Sequence, residues 1–218
     1  MILTEKWKGQ KRIEGVIPIQ QRMVVEIFYE DPKDLALQTL VVICHPNPLA
    51  QGSMHHKIPT LVARCAHSSG LPTLRFQFSG VGLTSGPYID FTQQVTLLDQ
   101  IIIKANEEGF DRIILAGFSF GAACILQSAH PFPKLAIAPA WKFIEIPTLS
   151  PSPKITIIHA QDDPIAFASE SFENFRKLES PDKALTILGQ GEHFFQGQLE
   201  MLKKHCLFFF NDKASGAG

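Results

Sequence analysis

Short, continuously apolar runs alternate along this chain with stretches whose apolar residues recur every three or four positions. Leu40 to Cys44 is one such run, as a strand buried on both faces requires. Ile58, Leu61, Val62 and Cys65 then fall at helical spacing, and Gly70 ends that helix. Residues 71–78 read as the next strand. Residues 95–105 read as a helix with Leu97, Leu98, Ile101 and Ile102 on its apolar side. A strand over 112–116 runs into a further helix that begins at Ala122. Strands over 135–138, 154–159 and 184–188 alternate with a helix that includes 172–178 and a closing helix over 198–210. Ahead of all of these, 13–19 and 22–29 read as an antiparallel hairpin. The alternation predicts an α/β fold: a mostly parallel twisted sheet, helices on both faces and antiparallel strands at its start.

The 218 residues suit one domain with a sizeable core, assigned to 1–212, with 213–218 as a frayed tail. The net charge of −1 comes without a basic stripe, which argues against nucleic acid or an anionic membrane as partner. The first residues lack a signal-peptide core, and no apolar run is long enough to span a membrane. Cys44, Cys65, Cys124 and Cys206 are scattered in apolar contexts and read as buried free thiols. A cytoplasmic protein, monomeric or homodimeric, is the expectation.

Candidate chemistry follows from the sheet. Ligands on such sheets bind at the carboxyl ends of the strands, and the polar residues just past those ends are His45, Ser79, Ser119, Asp163 and His193. Ser119 is the centre of Gly117-Phe118-Ser119-Phe120-Gly121, placed between a strand and a helix. So sharp a turn holds the serine hydroxyl clear of the backbone and leaves no room for side chains at the two glycines. A serine hydroxyl needs a base, and the base needs a group that fixes its tautomer. His193, in Gly189-Gln190-Gly191-Glu192-His193-Phe194, is the candidate base. Asp163 is the candidate orienting acid; Asp162 in the same loop competes, and Glu192 is expected to turn into solvent.

An oxyanion hole needs two N–H donors. Phe120 N–H is one. The other should come from His45-Pro46-Asn47-Pro48-Leu49, where the prolines have no N–H, leaving Asn47, narrowly preferred, and Leu49. Two other signals are set aside. Gly80-Val81-Gly82 lacks the third glycine of a dinucleotide loop, and Gly86-Pro87 stands where a helix should begin. His55 and His56 are adjacent, so on a helix they diverge, with no carboxylate cluster beside them. Neither a cofactor nor a metal is expected.

His45-Pro46-Asn47-Pro48-Leu49, Gly52-Ser53-Met54-His55-His56-Lys57 and Phe78-Ser79-Gly80-Val81-Gly82-Leu83-Thr84-Ser85-Gly86, with the elbow and the two loops, resemble the small bacterial α/β-hydrolases related to dienelactone hydrolase. The resemblance runs from about residue 10 to residue 210. It implies the order Ser, Asp, His seen here, and it favours Asp163, which stands four residues after His159 as such acids do. The chain departs from the family pattern at Asn47, Gln51, His56 and Ser79. Dienelactone hydrolases proper use a cysteine nucleophile, so their activity does not transfer to a chain with serine.

Lidded relatives carry a helical cap where this chain has residues 139–153, a stretch with four prolines that is too short for one. An open cleft is expected, walled by Leu49, Tyr88, Phe118, Phe120, Trp141, Phe194 and Phe195, with Phe118, Tyr88, Trp141 and Phe194 named as substrate contacts. Such a site suits a serine hydrolase cleaving a small carboxylic ester through an acyl-enzyme. The alternatives are a thioesterase or peptidase with the same residues, and a non-catalytic ligand-binding protein on the same fold.

Overall fold

The doubly apolar runs form the middle of one eight-stranded sheet in the computed structural model, which describes residues 6–20, 23–32, 38–145 and 151–215. In chain order the strands are β1 (Arg12–Gln20), β2 (Met23–Glu30), β3 (Thr39–Cys44), β4 (Thr73–Phe76), β5 (Arg112–Phe118), β6 (Lys134–Ile137), β7 (Ile155–Ala160) and β8 (Lys183–Leu188). Across the sheet the order is β1-β2-β4-β3-β5-β6-β7-β8. β3 to β8 pair in parallel, and β1 and β2 join antiparallel at one edge.

Period-two alternation sorts the strand residues to two cores. Leu40, Val42 and Cys44 face one, against Leu98 and Ile101 of α2 (Phe91–Glu107) and Ile125 of α3 (Phe120–Gln127). Val41 and Ile43 face the other, against Val62 and Ala66 of α1 (Lys57–Ser68) and Leu202 and Phe209 of α5 (Leu199–Ser215). The fifth helix, α4 (Ala168–Phe175), lies against β7 and β8.

Element ends differ from the sequence reading for local reasons. The strand expected over 71–78 shortens to β4, because Leu71 N–H turns back to Ala66 O and the residues beyond Phe76 leave for a loop. α2 starts ahead of the expected Val95, because Asp90 Oδ1 accepts Gln93 N–H at 2.8 Å and caps it. α4 begins and ends earlier than 172–178. α5 continues to Ser215 and takes in three residues expected in the tail. Arg22, residues 146–150 and residues 216–218 lie outside the described residues.

The loop of Gly80 and Gly82 lies along β2. Ser85 N–H donates to Val24 O, Val24 N–H to Ser85 Oγ, Glu26 N–H to Thr84 Oγ1 and Leu83 N–H to Glu26 Oε2. Two of these bonds are donated by the loop and two by β2, and together they brace the loop against the sheet.

From β3 the chain goes to β4 on one side, and β5 lies on the other. This reversal opens a crevice at the carboxyl ends of β3 and β5. Between β6 and β7 the described residues hold one short 3-10 turn, Trp141–Phe143, and no cap domain. No described helix is long and apolar enough to cross a membrane.

Candidate active site

The turn from β5 into α3 leaves Ser119 at φ 55°, ψ −113°, a conformation costly for any residue with a Cβ. Three backbone bonds hold it there: Ser119 N–H donates to Ile137 O at 2.9 Å, and Ala123 N–H and Ala140 N–H donate to Ser119 O at 3.0 and 3.2 Å. A Cβ on Gly117 would stand 2.4 Å from Gly121 O, and one on Gly121 would stand 2.4 Å from Cys44 O. Gly121 therefore allows α3 to start directly against the end of β3. That contact sets the elbow beside the His45–Leu49 loop.

The loops after β7 and β8 are clamped together. Gln161 N–H donates to Leu188 O at 2.8 Å and Asp162 N–H to Gly191 O at 3.0 Å. Fully buried Phe195, at φ 54°, anchors the far side of the second loop. The clamp delivers Asp163 and His193 to Ser119. His193 Nδ1 lies 2.6 Å from Asp163 Oδ2, and His193 Nε2 lies 2.9 Å from Ser119 Oγ. A carboxylate can only accept, so the proton sits on Nδ1, and Nε2 accepts from the serine hydroxyl. All three residues are nearly buried.

Asp163 Oδ1 accepts Ile165 N–H at 2.8 Å and Ala166 N–H at 2.9 Å. Burial would push its carboxyl up, but the ring N–H groups of His159 and His193 and the Ala166 amide outweigh it and hold the group far below the usual carboxylate range. Asp162 is exposed, as is Glu192.

A cavity of about 540 Å³ opens over Ser119 and His193. Asn47 and Gly52 of the loop after β3, Trp141 and Phe143 of the turn after β6, Ile165, Ala166 and Phe167 of the loop after β7, and His56 and Phe194 line it. Lys142 and Glu170 bring the charges. Of the two oxyanion candidates in the first loop, Leu49 is corrected. Its N–H is taken by Asn47 Oδ1 at 3.0 Å, and its side chain is 71% exposed and outside the lining. Asn47 and Phe120 both line the cavity, and no acceptor meets either N–H among the described residues. Gly52 closes this loop with its N–H on Asn47 O, and a Cβ there would stand 2.1 Å from Pro46 O.

Trp141 and Phe194 stand in the lining as expected; Phe118 and Tyr88 do not. Phe118 is buried under the site, its ring 4.9 Å from that of His193 and 5.5 Å from that of His56. Tyr88 packs against Phe120, whose own ring is turned inward among Phe78, Phe91 and Phe143. Strand alternation already points Phe118 away from the Ser119 side, a signal the apolar character of the residue masks.

His45 is closed to chemistry. Its Nδ1–H donates to Pro46 O at 2.6 Å, Phe78 N–H donates to its Nε2 at 3.0 Å, and burial lowers its pKa to about 3. His55 and His56 separate, His55 against Phe28 and His56 capping α1 and facing the cavity. The described residues contain no group of three metal-ligating side chains. His56, Ile165 and Phe167 were missed by sequence reasoning because they come from loops with no period to read.

No family model matches the chain. An uncharacterised protein of Rickettsia prowazekii (strain Madrid E) is 25% identical over 179 residues, covering 76% of this chain and 75% of the relative. A serine hydrolase without a lid from Xanthomonas campestris superposes with a TM-score of 0.82 at 24% identity, covering 91% of this chain and 93% of its own. An α/β serine hydrolase homologue from Coxiella burnetii gives 0.78 at 25% identity, with coverages of 90% and 96%. Est1E from Butyrivibrio proteoclasticus, solved with ferulic acid bound, gives 0.78 at 14% identity, with coverages of 92% and 99%. The chain thus has the α/β-hydrolase fold in its lidless form.

Proposed function

We propose that this chain is a serine hydrolase that cleaves a small carboxylic ester. The observation that carries the proposal is the continuous hydrogen-bonded line from Ser119 through His193 to Asp163, with Ser119 opening on the cavity. Serine hydrolases among the solved structures of like fold support it.

The ester carbonyl enters beside Ser119. His193 Nε2 takes the hydroxyl proton as Oγ attacks, and the imidazolium that forms is stabilised by the Asp163 carboxylate. The Phe120 and Asn47 N–H groups receive the oxyanion. His193 then returns the proton to the leaving alcohol. Water, deprotonated by the same nitrogen, releases the acid and restores Ser119.

Ser119→Ala tests this directly. Turnover of p-nitrophenyl acetate should fall by about 10⁴-fold or more, with an unchanged circular dichroism spectrum. A fluorophosphonate should label the wild type at Ser119 and leave the variant unlabelled. Full esterase activity in Ser119→Ala would refute the assignment.

A further inference from the structure

The hydrogen-bonded line does not stop at Asp163. His159, the fifth residue of β7, is completely buried directly behind it. Its Nε2 lies 2.6 Å from Ala166 O and 3.3 Å from Asp163 Oδ2. A carbonyl can only accept, so the proton is on Nε2, directed chiefly at Ala166 O and passing close to the carboxylate. Ser171 Oγ stands 2.7 Å from Nδ1, which accepts the serine hydroxyl in the tautomer that carries its proton on Nε2. Ser171 in turn accepts the indole Nε1–H of Trp141 at 2.6 Å. Every donor in this line has an acceptor: Trp141 to Ser171, Ser171 to His159, His159 to Ala166 and Asp163.

Three separate elements are joined by it. Trp141 belongs to the turn after β6, His159 to β7 and Ser171 to α4. Trp141 and Ala166 also both line the cavity. Polar side chains this deep are costly unless fully paired, and fully paired they fix one arrangement. A fold needing only hydrophobic filling behind Asp163 could place an aliphatic side chain there.

We propose that His159 is a positioning residue: backed by Ser171 and Trp141, it holds the Asp163 carboxylate in one register, so that His193 is presented to Ser119 correctly. This rests on the ester-hydrolase reading above. The Nε2–H of His159 fixes Asp163 Oδ2 from behind while His193 Nδ1–H approaches the same oxygen from the front. Without the rear donor Oδ2 can shift about the Oδ1 atom that the Ile165 and Ala166 N–H groups still hold, and a small misplacement of His193 is costly to the chemical step. Ground-state binding in the cavity should change little.

The test compares His159→Leu, His159→Gln and Ser171→Ala in the full chain. The Gln amide can keep a donor toward Ala166 and Asp163; Leu cannot. His159→Leu should lower kcat about 10- to 100-fold with KM within about twofold. The downfield proton signal of the His193–Asp163 bond should shift or vanish. His159→Gln should recover most of kcat and that signal. Ser171→Ala, the milder change, should lower kcat several-fold and move the Trp141 indole N–H resonance.

A folded His159→Leu with kcat within twofold of wild type and an unchanged downfield signal overturns the proposal. So does a folded Gln variant as impaired as Leu. If His159→Leu does not fold, Ser171→Ala decides, and an unchanged rate and signal there sink the idea. Failure of the ester reading looks different: wild-type protein would take no fluorophosphonate and cleave no ester, while the downfield signal still reports what holds Asp163 and His193 together.

Discussion

His45 and His193 are both buried histidines at the carboxyl end of the sheet, and their partners give them opposite characters. Backbone groups occupy both nitrogens of His45, which joins the loop after β3 to the start of the loop after β4. His193 faces one carboxylate and one hydroxyl, the pairing that proton transfer needs. Burial lowers the pKa of His45 to about 3, against about 6.5 unfolded. Between those values the unfolded chain binds the extra proton, so His45 costs stability as pH falls from about 6.5 toward 3, by up to about 1.4 kcal/mol per pH unit. Urea unfolding of His45→Gln between pH 4 and 6 should show a pH slope smaller than wild type by about one proton; equal slopes would mean that His45 does not titrate on unfolding. The family resemblance favours Asp163 over Asp162. The fate of Leu49 could not be read, because it depends on Asn47 curling its side-chain oxygen onto the next turn.

The elements were legible as a series, and their ends were not. Apolar runs such as Leu40 to Cys44 announce β3 because both faces of that strand are covered. The same apolar character continues past β4 into Phe78, where the chain has already left the sheet. Ends are settled by caps and clamps made with distant residues, and no local period records those. The glycines are a partial exception, since some of them mark a close approach. Gly121 is the approach of α3 to β3, and Gly121→Ala should cost about 3 kcal/mol and most activity, because the added Cβ would meet backbone oxygen that cannot retreat. Gly189 opens the His193 loop with only Gln161 Oε1 near its Cβ position, at 3.6 Å. Gly189→Ala should therefore change the melting temperature by less than about 2 °C. Thermal denaturation of the two variants side by side checks the contrast.

At the scale of the molecule, the architecture and the Ser, Asp, His order were readable from sequence, and the shape of the cavity was not. The resemblance to dienelactone hydrolases is one of sequence motifs. Phe118 and Tyr88 turned inward, while the real walls come from the turn after β6 and the loop after β7. Ile165, Phe167 and Phe194 stay well exposed at the cavity, a surface for a compact group rather than a tunnel for a chain. On the proposed function, p-nitrophenyl acetate and butyrate should be cleaved with kcat/KM about tenfold or more above the palmitate ester; the reverse order would overturn the preference for a compact acyl group.

The backbone of Ser119 has a bearing on how this protein would fare under selection for robustness. Its φ of 55° is one a glycine adopts freely and a serine or alanine does not. Ser119→Gly should accordingly melt a few degrees above Ser119→Ala, readable by calorimetry, although both are expected to be inert toward esters. A population of variants screened only for surviving heat would find that exchange attractive and lose the nucleophile with it. Robustness and reactivity compete here for a single backbone torsion, so an improvement campaign on this chain has to score both in every round.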